Sequence, residues 1–254
     1  MESDLTLKVL TYNIHKGFSA TNRRFVLHGI KDALRKVDAD VVFLQEIQGE
    51  HRHHAKKIDN WPESSQFEFL ADEIWAHHAY GKNAIYNKGH HGNAILSKYT
   101  FADWENINVS TMQSASRSLL HGTLELSPAG SRVHVICVHL GLFEHERAAQ
   151  ITRLIKRIDS HVAHNEPLII AGDFNDWRGR AEHSLTSQLG LSEVFKHQQG
   201  QHVRSFPAWL PILPMDRIYS RGVEVINGYP LKGQPWQRLS DHLPLVAEFK
   251  VLSP

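Results

Sequence analysis

Residues 167–177 read P-L-I-I-A-G-D-F-N-D-W. The apolar run 168–171 has the length and composition of a fully buried strand. Gly172 then lets the backbone turn or come close to a neighbour. Asp173, Asn175 and Asp176 follow at once, and so much polarity is costly to desolvate unless it is paired or used. Two readings compete: an Asx turn that closes a strand, or a core strand that delivers a carboxylate and an amide into a cleft. Three other stretches share this grammar, which favours the cleft. Residues 5–14 alternate around Leu7, Val9 and Tyr12 and end at Asn13; A-D-V-V-F-L-Q-E stops at Glu46; V-H-V-I-C-V stops at His139.

The chain has 254 residues, enough for one large α/β domain, and we read residues 1–254 as a single one. A formal charge of +1 argues against a protein that coats long nucleic acid and leaves room for a local basic patch. Cys137 is the only cysteine, so an intramolecular disulfide and an all-cysteine metal site are excluded. The opening M-E-S-D-L-T-L-K has no long apolar stretch. We therefore expect a cytoplasmic monomer without signal peptide or membrane span, with peripheral membrane contact left open.

Outward from the central stretch, Asn22 is expected to cap a helix with Phe25, Ile30, Leu34 and Val37 on its buried face. Residues 50–58, polar and rich in histidine, are expected to form a short exposed helix, and residues 90–93 a turn into the strand 94–97. A polar loop holds Ser114, Ser116 and Arg117. Strands 119–126 and 133–138 are joined at Pro128-Ala129-Gly130, and helices are expected over 144–161 and 181–189. Residues 207–214 carry three prolines with Trp209 and Leu210 between them and read as an ordered loop, the place expected to set specificity. Trp177, Trp209 and Trp236 are candidates for an apolar rim or for core packing. Strands outnumber helices and many connections are strand to strand, which suits two packed sheets with helices outside.

The polar strand ends collect Asn13, Glu46, Asn93, His139, Asp173, Asn175, Asp216, Asp241 and His242. Carboxylates and amides suit a hard cation such as Mg2+ or Mn2+. Histidines could also take zinc, although no H-E-x-x-H is present. No G-x-x-x-x-G-K-S/T, G-x-G-x-x-G or G-x-S-x-G occurs, so nucleotide-driven transfer, nicotinamide chemistry and serine hydrolysis lose support. Metal-assisted hydrolysis of a phosphate ester remains.

T-Y-N-I-H around Asn13, F-L-Q-E at Glu46, G-N-A-I-L-S from Gly92, V-H-L at His139, G-D-F-N from Gly172, M-D-R-I at Asp216 and S-D-H-L-P-L from Ser240 run nearly end to end. In that order the set resembles the endonuclease/exonuclease/phosphatase superfamily of DNase I-like enzymes. The resemblance implies a four-layer α/β sandwich, two packed mixed sheets flanked by helices. It implies Glu46 as main metal ligand with Asn13 and Asp241 close by, Asp173 orienting or activating water, and Asn175 binding phosphate. It implies His242 facing the scissile phosphate, oriented by Asp216, with His139 as a second histidine and Arg117 against the phosphate. Asn13, Asn93, Arg117 and Asn175 would face the substrate, Asn93 ordering the site. The expected activity is that of a Mg2+-dependent phosphoesterase, a diesterase before a monoesterase, on a phospholipid, a small diester or DNA. A DNA endonuclease or exonuclease is the first alternative, with His15, Lys16, Arg23, Arg24, Lys98 and Arg117 contacting phosphates. A non-catalytic phosphate- or lipid-binding module is the second.

Overall fold

The structure, a computed structural model, describes residues 5–51, 53–86, 89–111, 116–126 and 130–251. Ser114 and the Pro128-Ala129 pair of the expected turn lie outside these residues. Twelve strands form two six-stranded sheets among the described residues. The first has the order β11 (Val223–Pro230), β12 (Leu245–Val251), β1 (Leu5–Asn13), β2 (Val41–His51), β4 (Gly89–Ser97), β3 (His77–Tyr86). The second runs β5 (Thr100–Asn108), β6 (Ser118–Glu125), β7 (Arg132–His139), β8 (Leu168–Asp173), β10 (Asp216–Arg221), β9 (Ser192–Glu193). Both are mixed: β1 is parallel to β2 and β7 to β8, while β12 joins β1 and β10 joins β8 antiparallel. The expected sandwich of two sheets between helices is the observed architecture.

Period-two alternation sorts the side chains of each strand into two faces. Leu7, Val9, Phe43, Cys137, Ile169, Ala171 and Ile218 meet between the sheets. From the same strands, Leu10, Tyr12, Val42 and Leu44 turn the other way and pack with Ile30 and Leu34 of α1 (Leu27–Val37). On the second sheet, Ile136, Val138 and Ile170 turn outward against Leu154 and Ile158 of α4 (Glu144–His161) and Leu185 of α5 (Arg180–Leu189). Helices α2 (His54–Lys57), α3 (Gln66–Ala71), α6 (Val194–Gln199) and α7 (Trp236–Leu239) complete the set among the described residues.

Three local expectations are corrected. Asn22 does not cap α1: it sits in a turn at φ +56°, its N–H donating to the Ser19 carbonyl, and α1 starts after Val26. Residues 50–58 give helix only over His54–Lys57, because β2 continues to His51 by pairing with β4. Residues 90–93 are strand, not turn. Gly92 is needed there for close packing, since a Cβ would fall 1.8 Å from the Gly81 carbonyl oxygen.

A chain of polar groups lies beneath α4, away from the polar strand ends. Arg157 Nε donates to His121 Nδ1 (3.1 Å), which leaves the His121 proton on Nε2 to donate to His134 Nδ1 (3.0 Å). His134 Nε2 in turn lies 3.3 Å from Glu166. Burial first, then the positive charges of its neighbours, hold the His121 pKa down at about 3. A histidine depressed in the folded state binds fewer protons than in the unfolded chain, so stability is complete above the unfolded value of about 6.5 and is lost as the pH falls below it. Between about pH 6.5 and about pH 5, His121 alone should remove about 2 kcal/mol. His121→Gln keeps an acceptor for Arg157 without the titration. Urea midpoints measured across that range should fall less steeply in the variant, and equal slopes would show that His121 does not carry the acid sensitivity.

Candidate active site

The alternation that fills the core also fixes what stands at its end. Thr11 and Gln45 face inward, where Gln45 Nε2 reaches Thr11 Oγ1 (3.2 Å) and Cys137 Sγ (3.3 Å). Two residues past Thr11, Cys137 and Ala171 come Asn13, His139 and Asp173, and two before Ile218 comes Asp216. All four are at most 5% exposed. Asp173 and Asp216 are direct partners across the β8–β10 ladder. Gly172 permits the close approach of β8 to β7 on its other side: its φ is +149°, and a Cβ would lie 2.0 Å from the Val138 carbonyl oxygen. Glu46 would break the alternation, yet it sits in a register shift of β2 between Leu44 and Ile47 at φ +55°. Such a bulge re-aims a side chain.

Hydrogen bonds hold the cluster. Asn13 Nδ2 donates to Asp173 Oδ2 (3.1 Å), and the Asn175 N–H donates to Asp173 Oδ1 (2.9 Å). His242 Nδ1 donates to Asp216 Oδ2 (2.8 Å), while its Nε2 lies 3.8 Å from Asp173 Oδ2. His139 Nε2 lies 3.6 Å from the same oxygen. Asp216 Oδ2 also accepts from Ser205 Oγ (2.6 Å), and Ser205 accepts from the Asp216 N–H (3.2 Å). The Ser240 hydroxyl donates to the Asn13 carbonyl (2.7 Å) and accepts the His242 N–H (3.3 Å), tying the β12 approach to β1.

Beside this cluster, Lys16 Nζ lies 3.3 Å from Glu46, and His15 Nδ1 lies 3.7 Å from Asp241. Arg117 Nε and Asn175 Nδ2 both donate to the Leu140 carbonyl (3.2 and 2.9 Å). Asn93 is fully buried and donates to the Ser118 carbonyl (3.1 Å), next to Arg117 rather than to Asp173. Lys98 is not at this end at all: it pairs with Asp38 and Asp40, where β2 begins. Arg23 and Arg24 stand outside the cluster, on the exposed turn after Gly17. Trp236 is core, edge-on to Tyr12 with centroids 5.7 Å apart, whereas Trp177 and Trp209 are exposed.

The electrostatics follow from burial and pairing. Burial raises the Asp173 carboxyl, and the charge of Asp216 raises it further against the pull of His242. Burial works to lower His242, but Asp216 and then Asp173 outweigh it and hold the imidazole protonated. His139 is pushed well down by burial and then by Arg117, and stays neutral. For Glu46 burial acts upward and is overcome by the cationic neighbours, Lys16 among them, leaving the carboxyl at about 2. His91 is lowered to about 4, by burial first and then by Lys16.

The sequence reading did not assign Ser205, Ser240 or His91 a place in this arrangement, and it named Lys16 only as a phosphate contact rather than as the partner of Glu46. Ser240 and Lys16 were within reach, being inside or beside quoted motifs. Ser205 and His91 carry no local signal, because each reaches its neighbours only through the fold. Asp173, Asp216 and His242 present ligand atoms within 4.8 Å of one another, a spacing compatible with a divalent ion. Within this group Asp216 Oδ2 and His242 Nδ1 already bond each other.

The chain is 46% identical to the uncharacterized protein YbhP of Escherichia coli (strain K12) over 243 residues, 96% of each. An endonuclease/exonuclease/phosphatase from Bacteroides vulgatus shares the fold, with TM-score 0.77 and 15% identity over 98% of this chain and 100% of that one. So does the human Nocturnin catalytic domain with bound sulfate anion, with TM-score 0.75 and 20% identity over 98% and 96%. The profile of the Endonuclease/Exonuclease/phosphatase family matches residues 10–242, and the chain belongs to that family.

Proposed function

We propose that this protein is a Mg2+-dependent phosphodiesterase that hydrolyses its ester by in-line attack of water. The observation that carries the proposal is the row Asp216–His242–Asp173, in which one imidazolium is shared by two buried carboxylates. A binding module would gain nothing from a buried carboxylate whose proton affinity is raised. Glu46, Asn13 and Asp241 would hold the cation. They fit it because all three offer oxygen and Glu46 stays ionised although largely enclosed. When bound, the cation would neutralise phosphoryl oxygens.

The chain's own groups divide the remaining work. Asp173, raised by burial, is suited to take a proton from water near neutrality, and Asn13 and the Asn175 N–H keep its two oxygens in place. His242 directs its Nε2 proton into the same space, where negative charge gathers on the phosphorane oxygens. Arg117 and the Asn175 amide, both held on the Leu140 carbonyl, would bind the remaining phosphate oxygens. His139, neutral, can donate one hydrogen bond. With Lys16, Arg117 and protonated His242 against Glu46, Asp173, Asp216 and Asp241, the site has one excess negative charge. A divalent ion would leave one excess positive charge, a match for a monoanionic diester rather than a dianionic monoester. DNA as substrate has less support, since Lys98 is engaged at the far end of the sheet and Lys16 pairs with Glu46.

Bis-p-nitrophenyl phosphate should be cleaved with Mg2+ or Mn2+ and not with EDTA, faster than p-nitrophenyl phosphate. Asp173→Asn should lower kcat by about 100-fold or more while leaving the unfolding midpoint near that of the parent. Undiminished turnover in Asp173→Asn would overturn the assignment of the base. Asp216→Asn removes the charge that keeps His242 protonated. The alkaline limb of its pH–rate profile should therefore move to lower pH, and an unmoved limb would mean that His242 does not act as the cation.

A further inference from the structure

Beside the candidate active site, three segments enclose an open groove of about 660 Å3 lined by Ser19, Arg23, Arg24, Trp209, Arg238 and Leu239, among others. Each segment is anchored to the site. The turn of residues 18–26 follows Lys16 and is closed by the Val26 N–H on the Gly17 carbonyl. The loop of residues 206–214 is held by Ser205 on Asp216 and by the Ala208 N–H on the Asp241 carbonyl (2.7 Å). Residues 230–239 lead directly into Ser240 and Asp241. Together the three segments contain Arg23, Arg24, Lys232 and Arg238 and no acidic residue, in a chain whose whole formal charge is +1. Arg23, Arg24 and Arg238 are exposed, and none of them forms an ion pair among the described residues.

Among these cations the 206–214 loop exposes Trp209 (67%), Leu210 (52%) and Ile212 (53%). A contiguous set of large apolar side chains on a soluble surface marks an interaction site. The loop is stiff and most of its backbone donors are paired. Prolines stand at 207, 211 and 214, and the N–H groups of Leu210, Ile212 and Leu213 donate back within the loop, to Pro207 and Phe206. Such a loop carries few unpaired backbone donors into a layer of low water content.

We propose that this face docks on an anionic lipid bilayer, with Trp209, Leu210 and Ile212 entering the headgroup layer and Arg23, Arg24, Lys232 and Arg238 against its anionic surface. Tryptophan flanked by aliphatic side chains and ringed by arginine is the composition that interfacial insertion uses. A single-stranded nucleic acid would use Trp209 for stacking and the arginines for phosphates, but would leave Leu210 and Ile212 without a role. If the phosphodiesterase reading also holds, docking brings the site to the headgroup layer, which makes phospholipid headgroup diesters the substrate class.

Vesicle sedimentation in EDTA tests docking without any turnover. The protein should sediment with phosphatidylcholine vesicles that contain phosphatidylglycerol, less so with phosphatidylcholine alone, and the binding should weaken as salt is raised. Arg23→Glu with Arg24→Glu, and separately Trp209→Ser with Leu210→Ser, should each reduce partitioning about tenfold or more, at an unchanged unfolding midpoint. Absence of sedimentation at low salt, or equal partitioning in the variants, would overturn the proposal. Retention of single-stranded DNA lost in the same variants, without vesicle binding, would overturn it in favour of a nucleic-acid surface. Because no metal or substrate enters this assay, failed docking and failed phosphodiester cleavage are separate results.

Discussion

Asp173 and Asp216 are placed side by side by the antiparallel register of β8 and β10, and both are nearly without solvent. Two carboxylates so enclosed cannot both ionise without a positive charge between them. His242 supplies it, and its own protonation depends on them. This mutual requirement explains why the surroundings are so fully specified. Ser205 fills a lone pair of Asp216, Asn13 and Asn175 fill those of Asp173, and Ser240 holds the backbone of His242 to β1. The Asn13–Asp173 bond and the Ser240 bond to the Asn13 carbonyl cross between elements far apart in sequence. The last strand must therefore be paired against the first before the site has its geometry.

The polar cluster exists because the sheets end there. The inward-facing parity that buries Thr11, Cys137 and Ala171 carries Asn13, His139 and Asp173 to the same rim, so packing and chemistry are one pattern read two residues further on. Glu46 is the exception that needed a bulge and a positive φ. Strain of that kind persists only where neighbours hold it, and here Lys16 is its direct partner.

Much of this was legible in the sequence, because apolar runs that stop abruptly at carboxylates and amides reveal both strand and rim. The central stretch and the N-terminal strand were of this kind, and the helix 144–161 showed in the helical spacing of Ile151, Leu154, Ile155 and Ile158. What escaped depended on partners. Nothing local tells that Ser205 would meet Asp216, or that Gly92 accommodates a neighbouring carbonyl rather than a turn. Asn22 had the right chemistry for a cap but stands in a left-handed turn one loop too early. Trp236 had the right neighbourhood for a rim, yet Tyr12 offers it an edge-on contact inside the core.

The loop of residues 205–214 joins two properties that the sequence reading treated apart. Its first residue bonds the carboxylate that pairs with His242, and its fourth residue bonds the backbone of Asp241. The outward side chains of the same ten residues are apolar and exposed. A stiff loop transmits displacement rather than absorbing it, so a surface that presses on Trp209 would also bear on the Asp216–His242 pair beneath. On the proposed docking, contact at this face would bear on the geometry of the site through these two bonds. That coupling is a physical reason for three prolines to stand in one loop that must be held at both its polar and its apolar side.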